Sequence, residues 1–348
     1  MGEFAARTSS AATWSCTTAS AAIARLVVFT GPLAAKPRGG GRPHRLHRPR
    51  SLRWIRDIGA VLVQIDADSS LVATTISEHH SSARQLRRAQ VLPAESEVGL
   101  AVQIELLAKK LDKQADVAAT LAEYRPTLTA SRRVKLSVTD AIRAQIEPLR
   151  ASRSMSQLRK TESIAGRYYW QTFAHLPISF DSAWRKSVPD HWHTAGPRTS
   201  PIDRKRAKRA MSPAHAILNY LYAILECEAT IAAYRMGFDP SLGLMHADKR
   251  YRPSLASDLM EPARSDADRF AIELLENREL RRGDVVETRE GTCRLGPHFA
   301  RKLGSALHPL RSAVAPHVEW LARELLDAPD HPTPLTRRRH SASRPSSR

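Results

Sequence analysis

Cysteine is scarce and scattered in this 348-residue sequence. Cys16, Cys227 and Cys293 are odd in number, far apart and never in CxxC spacing. That pattern excludes a disulfide framework and a cysteine zinc site, and it reads as reduced, cytoplasmic thiols. Long apolar runs are missing too: no stretch approaches the roughly 18 apolar residues that cross a bilayer, so no membrane segment is expected. The opening MGEFAARTSSAATWSCTTASAAIARLVV has no strongly apolar signal-peptide core before Ala21, and Ala6 stands where a myristoylation signal wants Ser or Thr. No internal repeat is apparent. Acidic residues are the last shortage, with 35 Asp and Glu against 54 Lys and Arg, a net charge of +19. The excess implies an acidic partner, nucleic acid being the commonest, against the blander reading of solubility plus basic tails.

What is present suggests a globular chain of two domains, with 42% hydrophobic residues. It is organised around Ser212 to Arg264. Ser212 can cap a helix, Pro213 suits its first position and Gly237 its left-handed stop. Between them Ile217, Leu221, Ile224, Leu225 and Ile231 recur at helical spacing and define a buried face. A tight FDPSLG connection then leads to His246, a polar loop, and Asp258 and Glu261, which share a face if their segment is helical. Pro262 should end that segment near Glu261. Glu226 and Glu228, two apart on the long helix, cannot both face one point.

Elsewhere, residues 1–24 match nothing and are expected to be disordered or to belong to a start site placed too far upstream. Arg25 to Phe29 reads as a strand, the Gly/Pro/Arg loop after it as either solvated or phosphate-bound, Leu52 to Arg56 as a short helical piece and Ile58 to Ile65 as a strand. Helix is expected from Glu78. VGLAVQIELLAKKLDKQADVAATLAEY is amphipathic, with Val102, Leu106, Leu107 and Leu111 inward, and reads as core packing without chemistry. Thr127 to Lys135 is a polar break, after which one helical stretch carries Glu162 in ESIAGRYYW; a lone helical glutamate is usually solvated. Trp184 to Ser212 reads as a loop mixing Trp184 and Trp192 with Arg198, Arg204, Lys205, Arg206, Lys208 and Arg209, which suits phosphates and stacked bases, or merely a flexible basic loop. Lys249 and Arg250 add cations near His246. A further amphipathic helix, DADRFAIELLEN, leads to a hairpin across Val285–Thr288 and Thr292–Leu295. Helices follow through Phe299 to Leu326, and residues 329–348 are a disordered basic tail.

The block NYLYAILE…GFDPSLGLMH…SLASDLME, with ESIAGRYYW upstream, resembles the CRISPR-associated adaptation integrases, the Cas-one family. LRWIRDIGAVLVQIDAD resembles that family's N-terminal β domain, and ETREG its later hairpin. The resemblance implies an α+β fold: a small N-terminal β domain over residues 25–77, then a larger all-α metal-binding catalytic domain over 78–328. It implies Glu162, His246 and Glu261 as ligands of Mg²⁺ or Mn²⁺ and Asp258 as a neighbouring acid; Glu228, read from its place on the long helix, is a candidate outer acid. By the same resemblance the chain is a DNA endonuclease and integrase that inserts spacers into a CRISPR array by 3′-hydroxyl attack on a phosphodiester. It would dimerise and act with a small Cas-two partner. The alternatives are a transposon-borne integrase of the same fold and an inactive DNA-binding scaffold.

Overall fold

The computed structural model describes residues 13–16, 26–30, 61–65, 71–74, 83–91, 96–123, 127–129, 135–198, 210–245, 253–288, 291–305 and 308–326. The chain divides into two units, Met1–Ser81 and Ser82–Arg348. The first holds a four-stranded sheet in the order β1 (Thr13–Cys16), β2 (Leu26–Thr30), β3 (Val61–Ile65), β4 (Leu71–Thr74). Its middle pair, β2 and β3, is parallel, the outer pairs are antiparallel, and β3 and β4 shift register at Gln64/Ile65. β1 falls within residues 1–24, where disorder was expected: a short run of Thr, Trp and Cys is a sound edge partner for β2 despite its polar flanks. The Gly/Pro/Arg loop and Leu52 to Arg56 lie outside the described residues.

The second unit is mostly helical. It runs α1 (Ala83–Val91), α2 (Glu97–Thr120), the hairpin β5 (Thr127–Thr129) and β6 (Lys135–Ser137), α3 (Val138–Arg143), α4 (Ile146–Arg150) and α5 (Met155–Phe173). Then come α6 (Ser182–Arg185), α7 (Pro213–Met236), α8 (Ser254–Leu259), a 3-10 turn at Glu261–Ala263, α9 (Arg264–Glu276), the hairpin β7 (Val285–Glu287) and β8 (Cys293–Leu295), α10 (Pro297–Ser305) and α11 (His308–Leu326). Two readings are corrected. Within the polar break at 127–135, Thr127–Thr129 is a strand that pairs antiparallel with Lys135–Ser137. The helical stretch after it is three helices, because Pro148 can sit only in a first turn and Ser154 caps α5 by accepting from Gln157 N.

The core is built on α2 and α7. In α2, Val102, Leu106, Leu107 and Leu111 are all buried, as their spacing requires. Helix α7 has the expected ends, with Ser212 accepting from His215 N and Gly237 in the left-handed conformation at φ 103°. By length and composition α7 is apolar enough to cross a membrane, which the sequence reading missed because short polar residues interrupt its apolar run. Here it is mostly buried against α8, α9 and α11.

Candidate metal and DNA-processing site

The site forms where α2, α5 and the 3-10 turn meet. Ala165, one turn beyond Glu162, is buried and lets α5 lie close, while Gly166 has open space where a Cβ would be. Glu162 is left partly open, its side chain 31% exposed. Glu261 comes from the far side, 6% exposed, on the residue that Pro262 bars from continuing α8.

Both carboxylates meet at Lys110. Its Nζ stands 2.6 Å from Glu162 Oε1 and 2.8 Å from Glu261 Oε2, while Arg264 Nη2 holds Glu261 Oε1 at 3.1 Å. Burial would pull the lysine's pKa down, but the fields of Glu261 and Glu162 outweigh it and hold the ammonium above its ordinary value. Sequence reasoning passed over Lys110 as part of a packing helix. The signal was there: Gln103, Lys110 and Gln114 are buried polar residues on the stripe that Leu107 and Leu111 also occupy.

Asp258 does not join this cluster. It is fully buried, and its Oδ2 accepts from Leu244 N at 2.6 Å and Met245 N at 2.9 Å. Asp258 and Glu261 stand three apart where α8 passes into the 3-10 turn, and Glu261 engages Lys110 and Arg264 while Asp258 engages backbone amides. Asp258 instead fixes the strand of chain that leads to His246. Met245 O accepts from Arg159 Nη2 at 2.9 Å, and Arg159 lies one turn before Glu162 on α5. His246 itself lies outside the described residues, as do Arg204, Lys205, Arg206, Lys208, Arg209, Lys249 and Arg250. Among the described residues no three His, Cys, Asp or Glu side chains gather in a metal-binding group. Glu228 is half-buried on α7, and with Glu226 and burial it helps push the Cys227 thiol up to about 12, burial being the larger cause.

A second buried network locks the frame. Asp268 on α9 accepts hydrogen bonds from Tyr169 of α5 at 2.7 Å and from Tyr222 of α7, so the helix carrying Glu162 is tied to the helix that follows Glu261. Burial pushes the Asp268 carboxyl up against the pull of those two phenols. Arg198 lies over the rings of Trp170 and Tyr222, 4.3 and 5.1 Å from their centroids. Trp192 is 2% exposed and Trp184 packs edge-on against Phe180. Trp192 is therefore a core residue, and Trp184 is half-buried against it.

The family model described as CRISPR associated protein Cas1 matches residues 47–308. The chain belongs to the Cas1 family. Among curated Cas1 relatives, it is 28% identical over 197 residues to a CRISPR-associated endonuclease Cas1 of Moorella thermoacetica, covering 52% of this chain and 53% of that one. To a second, from Rhodospirillum rubrum, it is 30% identical over 226 residues, covering 64% and 60%. The matches thus span little more than half the length of these Cas1 relatives. Three solved structures share the Cas1 fold. A casposase bound to integration product aligns with TM-score 0.59 at 22% identity over 82% of this chain and 80% of that one. A Cas1 protein from Thermotoga maritima gives 0.61 at 16%, over 82% and 85%. A chain of a partial Cas6-RT-Cas1–Cas2 complex gives 0.56 at 16%, over 80% and 81%.

Proposed function

We propose that this Cas1 protein is a divalent-metal DNA integrase and endonuclease of CRISPR adaptation that inserts short DNA fragments into the array. The observation that carries the reading is the meeting of Glu162 and Glu261, from distant parts of a Cas1-family chain, at one nitrogen. Relatives named as endonucleases support it. A 3′-hydroxyl of the fragment attacks a repeat phosphorus; the new P–O bond forms as the strand's own P–O bond breaks, and the attacking hydroxyl loses its proton as the departing oxygen gains one. With water as attacker the same displacement is hydrolysis.

Glu162, His246 and Glu261 would hold the ion, two hard oxygen donors and one imidazole, a set that suits Mn²⁺ and also Mg²⁺. When bound, such an ion offsets phosphate charge and aligns the entering and leaving oxygens. Arg264 orients the Glu261 carboxylate, and Asp258 and Arg159 fix residues 244–245. In this reading residues 25–77 form the β domain, through which two copies pair, and 78–328 the catalytic domain. A small Cas2 protein completes the assembly, in keeping with the likeness to a chain of the Cas1–Cas2 complex. The casposase likeness favours one second reading, a transposon-borne integrase with the same chemistry.

Joining of a labelled DNA end to a repeat-containing plasmid tests the site. Glu162→Ala, His246→Ala and Glu261→Ala should each lose about a hundredfold or more, with DNA binding by anisotropy near that of the unmodified protein. A folded, DNA-binding protein that neither joins nor cleaves with Mg²⁺, Mn²⁺ and a supplied Cas2 would return the reading to an inactive scaffold. Equal joining to repeat and to random targets would favour the transposon reading.

A further inference from the structure

Lys110 occupies the point where the two acids meet. Its side chain is 9% exposed, and its ammonium engages one oxygen of Glu162 and one of Glu261 while Arg264 takes the second oxygen of Glu261. Among the described residues two carboxylates therefore face two cations. Without a cation between them the carboxylates would repel, and with Lys110 there an arriving divalent ion meets positive charge and engaged oxygens.

We propose that Lys110 is a built-in stand-in for the metal: in the metal-free chain its ammonium holds Glu162 and Glu261 together, and it must leave that position when the ion enters. The two occupancies exclude each other, so the lysine sets how much metal the resting protein takes up. The side chain suits the part. Lysine carries a compact point charge on a flexible four-carbon stem, which can retract along α2 with the backbone fixed, whereas an arginine fork would be held by its geometry. The packed frame of Leu106, Leu107 and Leu111 keeps α2 in place through the exchange. Arg264 is the counter-charge that stays. The inference rests on the reading of Glu162 and Glu261 as metal ligands, and it makes Lys110 a positioning residue.

Calorimetric titration of Mn²⁺ into the full-length protein tests it. Lys110→Met and Lys110→Gln should bind Mn²⁺ at least tenfold more tightly than the unmodified protein, and Glu261→Gln at least tenfold more weakly. A second readout uses the unmodified chain: brief acetylation with an N-hydroxysuccinimide ester, followed by peptide mass spectrometry. Lys110 should acetylate severalfold faster with Mn²⁺ than with EDTA, while Lys109 and Lys113 keep their rates. If Glu261→Gln loses Mn²⁺ yet the lysine variants bind no tighter and labelling is unchanged, the stand-in role is overturned and the ligand reading survives. If neither the unmodified protein nor any variant binds Mn²⁺, both fall. Should the lysine variants not fold, the labelling decides alone.

Discussion

Three positions separate Asp258 from Glu261, and their carboxylates have different partners, the amides of Leu244 and Met245 for Asp258 and the cations Lys110 and Arg264 for Glu261. Asp258 is a charged acceptor for two amides, so Asp258→Ala should cost about 2–4 kcal/mol of stability through orphaned buried donors. Urea unfolding should show that loss, with Mn²⁺ affinity falling less than in Glu261→Gln; the reverse ranking would make Asp258 the ligand. Both acids were legible in the sequence, Glu261 as a ligand and Asp258 as its neighbour by resemblance, but the two amides that Asp258 takes were not, since they belong to residues of the loop before α8 that helical spacing does not report. Lys110 was illegible for a different reason: a lysine in an amphipathic helix announces a solvated face unless its register is set against the buried stripe. His215 shows the same blindness. Buried in the first turn of α7 and close to Arg198, its pKa is lowered to about 4, chiefly by burial, and His317 is likewise lowered to about 4. Each folded value lies below the unfolded one near 6.5, so unfolding takes up protons between about 4 and 6.5. Stability should be full above pH 6.5 and decline toward pH 4, by at most about 3 kcal/mol per histidine. His215→Phe should flatten the melting-temperature slope between pH 6.5 and 5; an unchanged slope would show that His215 is not buried neutral.

At the scale of elements, glycines mark where backbone contact governs the fold. A Cβ on Gly296 would lie 1.9 Å from Gly283 O, because the end of β8 crosses the turn before β7 there. Backbone cannot yield as a side-chain tip does, so Gly296→Ala should destabilise by roughly 1–3 kcal/mol. Gly166 is the contrast. It sits in α5 with open space around it, and Gly166→Ala should raise stability by about 0.5–1 kcal/mol through helix entropy. Thermal melts of the two variants should move in opposite directions, and a destabilised Gly166→Ala would mean that α5 packs more closely than described. The sequence revealed the ends of α7 because Ser212, Pro213 and Gly237 act locally. The start of α5 was equally local and was overlooked: Ser154 caps Gln157 N while Gln157 Oε1 accepts from Arg153 N, a reciprocal pattern written as S-x-x-Q. The β5–β6 hairpin had no such mark, since TLT and KLS are too short for alternation to show.

For the whole molecule, charge is the property that composition reports best and locates worst. The excess of +19 points to an acidic partner, yet the one described member of the basic loop set, Arg198, is half-buried over Trp170 and Tyr222. In the proposed DNA-binding reading, phosphate docking would fall to Arg204, Lys205, Arg206, Lys208, Arg209, Lys249 and Arg250. These two groups of cations should separate experimentally. If the loop neutralises about five phosphates, the logarithm of DNA affinity should fall with the logarithm of salt at a slope near −4 to −5 from those contacts alone. Replacing Arg204, Lys205 and Arg206 together by Ala should reduce the slope by about 2–3 and leave the melting temperature unchanged. Arg198→Ala should do the opposite, lowering stability by about 1–2 kcal/mol through the lost ring contacts while the slope stays within one unit. Binding measured from 50 to 300 mM salt on both variants checks this. A triple variant with an unaltered slope would remove the loop from the docking face, and a slope change in Arg198→Ala would put the stacked arginine on the DNA after all.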